Sequence, residues 1–258
     1  MRILLSNDDG ARAPGIVLLA NRLAELGHEA TVVAPDRERS GAGHSITTDT
    51  LYLDEKNFPE YDGRVRTFEC DGTPADCAAL GVGVAAPNAE LVLAGINRGA
   101  NLGRDVFYSG TVAAAREGYF EDRPAVAFSL ALNRREAEER YETALYAAEF
   151  LLENLDVLFG PPESRAAALL NVNVPNRPLS EIKGFKTVFT GRRRYSDRIQ
   201  RLASGGRVAY RLLGVPADWE EMEGSDVRAV SEGFIALTFL SRDATDYTLN
   251  SLRSINRP

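Results

Sequence analysis

The chain has 258 residues, 44% of them apolar, enough for one large α/β domain or one domain plus an appendage. Its formal net charge of −7 argues against general binding to nucleic-acid polymers or membrane surfaces, but leaves room for an anionic small substrate held by a local metal or a helix terminus. No stretch is long and apolar enough to span a bilayer, no signal-peptide pattern follows Met1-Arg2, and Cys70 and Cys77 fit no common zinc spacing, so a cytoplasmic protein with reduced thiols is expected.

Taken in chain order, residues 2–8 read as a buried first strand, Gly15 to Leu26 as a helix closed by Gly27, and Glu29 to Ala34 as a second strand. That strand–helix–strand opening predicts a parallel sheet with right-handed crossovers. Val65 to Glu69 is a short strand, Thr73 to Leu80 a helix, and Leu91 to Ile96 another buried strand. Gly110 to Phe120 is a helix and Ala125 to Leu130 a strand. Residues 134–155 read as one long amphipathic helix, and Ala166 to Val174 as a strand ended by Pro175. After residue 180 the pattern changes. Lys183 to Thr190 and Val208 to Leu213 alternate like antiparallel strands around a basic, glycine-bearing segment, read as a projecting hairpin. Ser225 to Glu232 is a helix, Phe234 to Leu240 a last strand, and the tail beyond Thr248 is polar. The expected organisation is an α/β core over 1–180 with a C-terminal extension over 181–258.

In open parallel sheets ligands bind beyond the carboxyl ends of the strands, so the segments that follow the strands carry the functional question. The first strand runs into Asn7-Asp8-Asp9-Gly10. Two neighbouring carboxylates repel each other and resist burial, and a hard cation between them removes that objection. A solvated acidic turn is the alternative reading. The second strand is followed by a loop holding Ser40, Gly43 and His44, and the strand Leu91 to Ile96 by one holding Asn97 and Asn101. Oxygen donors of these kinds suit Mg²⁺, Mn²⁺ or Ca²⁺ better than a thiolate-bound metal. With only His28 and His44 in the chain, a multi-histidine zinc site is not expected. His44 is open between loop support and a catalytic or substrate contact. Ser109-Gly110-Thr111 opens a helix, either as a plain cap or as a cradle for an anion. The dinucleotide-like Gly81-Val82-Gly83 follows a helix rather than a strand and is rejected. The chain has neither a Gly-Lys-Ser/Thr phosphate loop nor a Gly-x-Ser-x-Gly elbow.

Together, Ser6-Asn7-Asp8-Asp9-Gly10, Arg39-Ser40-Gly41-Ala42-Gly43-His44-Ser45-Ile46-Thr47, Gly72-Thr73-Pro74-Ala75-Asp76-Cys77, Gly95 through Val106 running into Tyr108 through Val112, and Asn171-Val172-Asn173-Val174-Pro175 resemble the survival protein E (SurE) family of 5′/3′-nucleotidases, over nearly the whole chain. The resemblance implies a Rossmann-like, mostly parallel sheet flanked by helices, with a C-terminal hairpin and helix used in dimers or tetramers. It implies one divalent ion (Mg²⁺, Mn²⁺ or Co²⁺) held by Asp8, Asp9, Ser40 and Asn97. It also implies a phosphate held by Ser109, Gly110 and Thr111 with Asn101 nearby, with Asn7, Gly43 and His44 in support. The activity implied is metal-assisted hydrolysis of nucleoside monophosphates by water, with Asp8 or Asp9 orienting the water or taking its proton. A nucleotide-binding module without turnover is the alternative. This sequence departs from the family pattern at Phe239, Ala94 and Ala113, and between about 191 and 224.

Overall fold

The computed structural model describes residues 1–132, 138–196, 199–204, 207–212, 215–219 and 222–242. The strands are β1 (Arg2–Ser6), β2 (Glu29–Pro35), β3 (Leu53–Lys56), β4 (Arg66–Cys70), β5 (Leu91–Arg98), β6 (Ala125–Ala131), β7 (Leu169–Pro175), β8 (Phe185–Thr187), β9 (Arg193–Ser196), β10 (Ile199–Ser204), β11 (Arg207–Leu212), β12 (Val215–Trp219) and β13 (Ile235–Leu240). The helices are α1 (Pro14–Glu25), α2 (Pro74–Leu80), α3 (Gly110–Phe120), α4 (Tyr141–Glu153), α5 (Leu155–Phe159) and α6 (Asp226–Glu232).

One sheet organises the chain, in the order β3-β4-β2-β1-β5-β6-β7-β13-β8. Strands β4, β2, β1, β5, β6 and β7 are parallel, as is the β13–β8 pair, whereas β3 and β13 run antiparallel to β4 and β7. The strand order reverses at β1, which lies between β2 and β5, so the crevice at the carboxyl ends of β1 and β5 is the topological switch point. Two apolar layers cover the sheet. Ile3, Leu5, Ile16, Leu19, Leu93, Phe128 and Leu151 belong to one, and Leu4, Val33, Val92, Val112 and Ala127 to the other. The successive residues Ile3, Leu4 and Leu5 of β1 thus alternate between layers, as the period of two requires.

The expected mostly parallel α/β architecture is what the chain forms. Its differences from the sequence reading have local causes. Leu53–Lys56 is a strand that the sequence reading leaves out; it is an exposed, charged edge, and its three polar residues hide the period of two. The helix expected over 134–155 begins at Tyr141; residues 133–137 lie outside the described part. The described residues just before Tyr141 are committed elsewhere: Arg140 N–H donates to Asn176 Oδ1 at 2.9 Å, Asn176 Nδ2 donates to the Glu138 carbonyl at 2.8 Å, and Glu139 pairs with Arg98.

The pairing expected after residue 180 also differs. Phe185–Thr187 joins the core sheet beside β13, rather than pairing with 208–213. The hairpin is made by β10 and β11, with β9 and β12 paired beside it in the chain. The arginines there give no apolar periodicity from which to read the register. The tail after Thr248 lies outside the described residues. Among the described residues no helix is long and apolar enough to cross a membrane.

Candidate functional site

The crevice is built by three loops that leave β1, β2 and β5, and by the start of α3. At β1, Asn7 is fully buried and folds the turn: its Oδ1 accepts from Gly10 N–H at 3.2 Å and its Nδ2 donates to the Gly10 carbonyl at 2.9 Å. Gly10 has φ +104°, a conformation glycine adopts without a Cβ penalty. The turn sets Asp8 and Asp9 at the crevice. The β2 loop is tied to it where Arg39 N–H donates to the Asp8 carbonyl at 2.8 Å. The β5 loop is tied to it where Arg98 N–H donates to Asp9 Oδ2 at 3.2 Å.

Asp8 is only 5% exposed, and its Oδ1 accepts a hydrogen bond from the Thr111 hydroxyl. Burial pushes its carboxyl above the usual range, opposed by the Thr111 hydroxyl and by the amides of Thr111 and Gly110. Asp9 is pushed up to about 6, first by burial and then by the charge of Asp8, while Arg98 N–H works the other way. Glu38, which the sequence reading does not single out, adds to the negative potential at Asp9, and its Oε1 accepts from Ser40 Oγ at 2.8 Å.

The other sequence-selected residues fall into two groups. Ser40 is exposed on the loop tied to Asp8. Asn97 lies at the end of β5, past a register shift between Ala94 and Asn97 relative to β6. Its Nδ2 donates to the Gly99 carbonyl at 2.8 Å, so its side-chain oxygen is the atom left for a cation. Ser109 caps α3, accepting from Val112 N–H at 3.0 Å. Gly110 presses on Asp8 so closely that a Cβ there would lie 2.7 Å from Asp8 Cβ.

Asn101, Gly43 and His44 act from behind. Asn101 is 6% exposed, and its Nδ2 is occupied by Ser129 Oγ at 2.8 Å. Gly43 N–H donates to the Tyr108 carbonyl at 3.1 Å. His44 pairs with Glu117 on α3 and stacks on Phe120 with ring centroids 5.5 Å apart. Through these contacts His44 fastens the Ser40 loop to the flank of α3.

Sequence reasoning misses the anchors of the β5–α3 loop. Asp226 is fully buried and accepts from the backbone of Gly103 at 2.9 Å and of Gly191 at 2.7 Å. Asn171 and Asn173 hold the backbone of Asn101. The available signal is two amides two residues apart on one face of an otherwise apolar strand.

The donor set suits a hard cation. Among the described residues no three His, Cys, Asp or Glu side chains are placed together for a metal. What the crevice holds is a buried and an adjacent half-buried carboxylate, both of raised pKa, beside a hydroxyl and an amide, and a divalent ion would relieve their repulsion.

Comparison with known proteins identifies the family and the fold. The family model described as "Survival protein SurE" matches residues 3–197. The 5'-nucleotidase SurE of Synechococcus elongatus is 42% identical over 265 residues, covering 99% of this chain and 98% of that protein. The 5'-nucleotidase SurE of Gloeobacter violaceus is 44% identical over 247 residues, covering 95% and 91%. The crystal structure of the SurE protein from Aquifex aeolicus superposes with a TM-score of 0.79 at 37% identity, covering 98% of this chain and all of that one. The chain belongs to the SurE family of survival proteins.

Proposed function

We propose that this protein is a metal-dependent phosphomonoesterase that hydrolyses nucleoside 5′-monophosphates, and 3′-monophosphates as well, to nucleoside and phosphate. The observation that carries the reading is the contact of Asp8 with the start of α3, where a carboxylate sits against the Thr111 hydroxyl and the Gly110 and Thr111 amides. A helix N-terminus whose amides and hydroxyl already serve a carboxylate is suited to phosphoryl oxygens as well. The 5'-nucleotidase names of the relatives supply the substrate class.

Asp8, Asp9, Ser40 and Asn97 would hold the divalent ion, which when bound supplies charge neutralisation and a water of lowered pKa. The chain's own residues do the rest. On substrate binding the amides of Gly110 and Thr111 and the Thr111 hydroxyl would exchange Asp8 for the phosphoryl oxygens and receive their charge, while Ser109 caps the helix through Val112 N–H. Asp9, raised to about 6 without the ion, would be ionised as a ligand at neutral pH, and Asp8 or Asp9 would orient the attacking water or take its proton. Burial of Asp8 beneath Gly110 keeps water from competing for its inner oxygen.

The test is phosphate release from a panel of nucleoside 5′- and 3′-monophosphates with EDTA, Mg²⁺, Mn²⁺ or Co²⁺. Ion-dependent release is expected, and tight nucleotide binding with no release from any substrate would replace this reading with a binding module. Calorimetric titration of Mn²⁺ across pH 5–7 reads the same site without turnover. The ionised form of Asp9 is the ligand and its folded pKa is raised, so it is protonated below about 6. Affinity should therefore weaken by about tenfold per pH unit as pH falls below that point. A pH-independent affinity would exclude Asp9 from the ligand set.

We further propose a homodimer or homotetramer joined through the C-terminal strands. A two-stranded hairpin is marginal by itself, and β10–β11 carries exposed Ile199, Val208 and Tyr210. Light scattering that gives a monomer at micromolar concentration would refute this. Cys70 and Cys77, buried and not joined in a disulfide, suit a reducing, cytoplasmic setting.

A further inference from the structure

The loop between β5 and α3 leaves the crevice at Asn97 and Arg98 and returns to it at Ser109. Its course between those points is set at Asn101, which belongs to no strand or helix and is nearly buried. Asn173 of β7, fully buried, engages both backbone groups of that residue. Its Oδ1 accepts from Asn101 N–H at 2.8 Å, and its Nδ2 donates to the Asn101 carbonyl at 3.0 Å. A carboxamide offers one acceptor and in-plane donors, so it can serve a peptide group as a neighbouring strand would. Asn171, two residues away on the same strand face, gives only half of this. Its Nδ2 donates to the same carbonyl at 2.9 Å, but its Oδ1 is buried without a partner. Ser129, opposite Asn173 in the sheet, takes the Asn101 side chain. The backbone of Asn101 is thus gripped on both sides by one residue, and additionally on its carbonyl by a second.

We propose that Asn173 is a positioning residue for the phosphate site, acting through the backbone of Asn101 to fix the loop that leads from Asn97 into the Ser109–Thr111 cradle. The inference rests on the phosphatase reading and adds a residue that touches neither substrate nor ion. Without the paired hydrogen bonds, the Asn101 peptide loses its fixed plane, and displacements of about 1 Å in such a loop cost up to about 100-fold in orientation-dependent steps.

The test compares wild type with Asn173→Ala, Asn173→Asp and Asn171→Ala, assayed on a nucleoside 5′-monophosphate and with inorganic phosphate as inhibitor, at a temperature where each variant is folded by circular dichroism. Asn173→Ala should raise KM and the phosphate inhibition constant together, by about tenfold. A smaller folded fraction would lower only the apparent kcat. Asn173→Asp supplies the stringent arm. Its neutral carboxylic acid has an acceptor and an O–H donor in one plane and can restore both bonds, whereas its carboxylate only accepts and repels the Asn101 carbonyl. Burial raises the pKa of such a group. The KM ratio of this variant to wild type should therefore be near one at pH 5 and rise toward pH 8. Asn171→Ala should stay within about twofold of wild type, since the remaining carboxamide still makes both bonds.

A wild-type KM and phosphate inhibition in Asn173→Ala, a pH-independent ratio in Asn173→Asp, or an equal loss in Asn171→Ala would each overturn the proposal while leaving the phosphatase reading standing. If Asn173→Ala does not fold, the pH ratio of Asn173→Asp decides. Absence of phosphate release from the wild-type protein would overturn both.

Discussion

Replacing Asp8 by Asn is expected to reduce ion-dependent phosphate release by about 1,000-fold or more, the scale of losing several kcal/mol of charge stabilisation at a metal-assisted centre. The substitution is nearly isosteric, so the packing of Gly110 against Cβ is retained, and an amide oxygen can still accept from the Thr111 hydroxyl. What disappears is a negative charge. The same change has the opposite sign for stability. The folded protein raises the pKa of both carboxyls, so it binds their protons more tightly than the unfolded chain does. Their contribution to stability therefore falls as pH rises from about 4 through the raised folded values, and the ionised pair opposes folding at pH 7. Without divalent ions Asp8→Asn should melt at or above the wild-type temperature at pH 7, and addition of Mn²⁺ should raise the wild-type melting temperature more than that of the variant. Lost activity with retained or increased stability separates a ligand from a packing residue. A full-rate Asp8→Asn enzyme would remove this crevice from consideration.

How much of this is legible in the sequence differs by residue, for physical reasons. The buried parallel strands are readable because both faces of β1, β5 and β6 are covered, so each is a continuous apolar run. Helix α3 is readable to the residue because Ser109 caps it and its first turn follows a glycine-broken loop. The acidic pair is conspicuous because Asp8 and Asp9 interrupt an apolar strand. Their difference in environment is not readable: Asp8 meets the α3 N-terminus across 103 residues of sequence, and only the fold brings them together. Asp226 escapes for the same reason, since its partners Gly103 and Gly191 contribute only backbone amides, which carry no side-chain signature. The family resemblance assigns Asn101 to the phosphate, yet its side chain faces Ser129. No local pattern distinguishes an amide turned inward from one turned toward a ligand. The sequence reading overextends the helix over 134–155 because helix-favouring Arg, Glu and Ala precede Tyr141, while tertiary contacts of residues 138–140 prevail over that preference.

Gly110→Ala is the second change expected to have a large effect, and it tests the cradle without touching charge. In a helix Ala is favoured over Gly by about 1 kcal/mol, so a site without steric limits would gain stability. At position 110 the added Cβ would lie 2.7 Å from Asp8 Cβ, 2.8 Å from Pro74 Cγ and 3.0 Å from Asp8 Oδ2. The first of these neighbours is fixed to the backbone and the second belongs to a proline ring, so neither can rotate away. Relief requires the start of α3 to move from the β1 loop by several tenths of an ångström or more, in the direction that opens the Thr111–Asp8 contact. The expected result is a loss of about 1–3 kcal/mol in stability and of about 100-fold in kcat/KM. Gly118→Ala provides the comparison on the same helix. Its Cβ would lie 2.5 Å from Val92 Cγ2, about two turns from the crevice, so it should destabilise while leaving KM and the response to divalent ions near wild type. Denaturant titration and steady-state kinetics on the two variants separate the outcomes. Equal kinetic losses in both would mean that helix packing alone explains the effect. A Gly110→Ala enzyme of wild-type kcat/KM would place the reacting phosphate away from the amides of α3, because no phosphate can use those amides unchanged once the helix start has been displaced from Asp8.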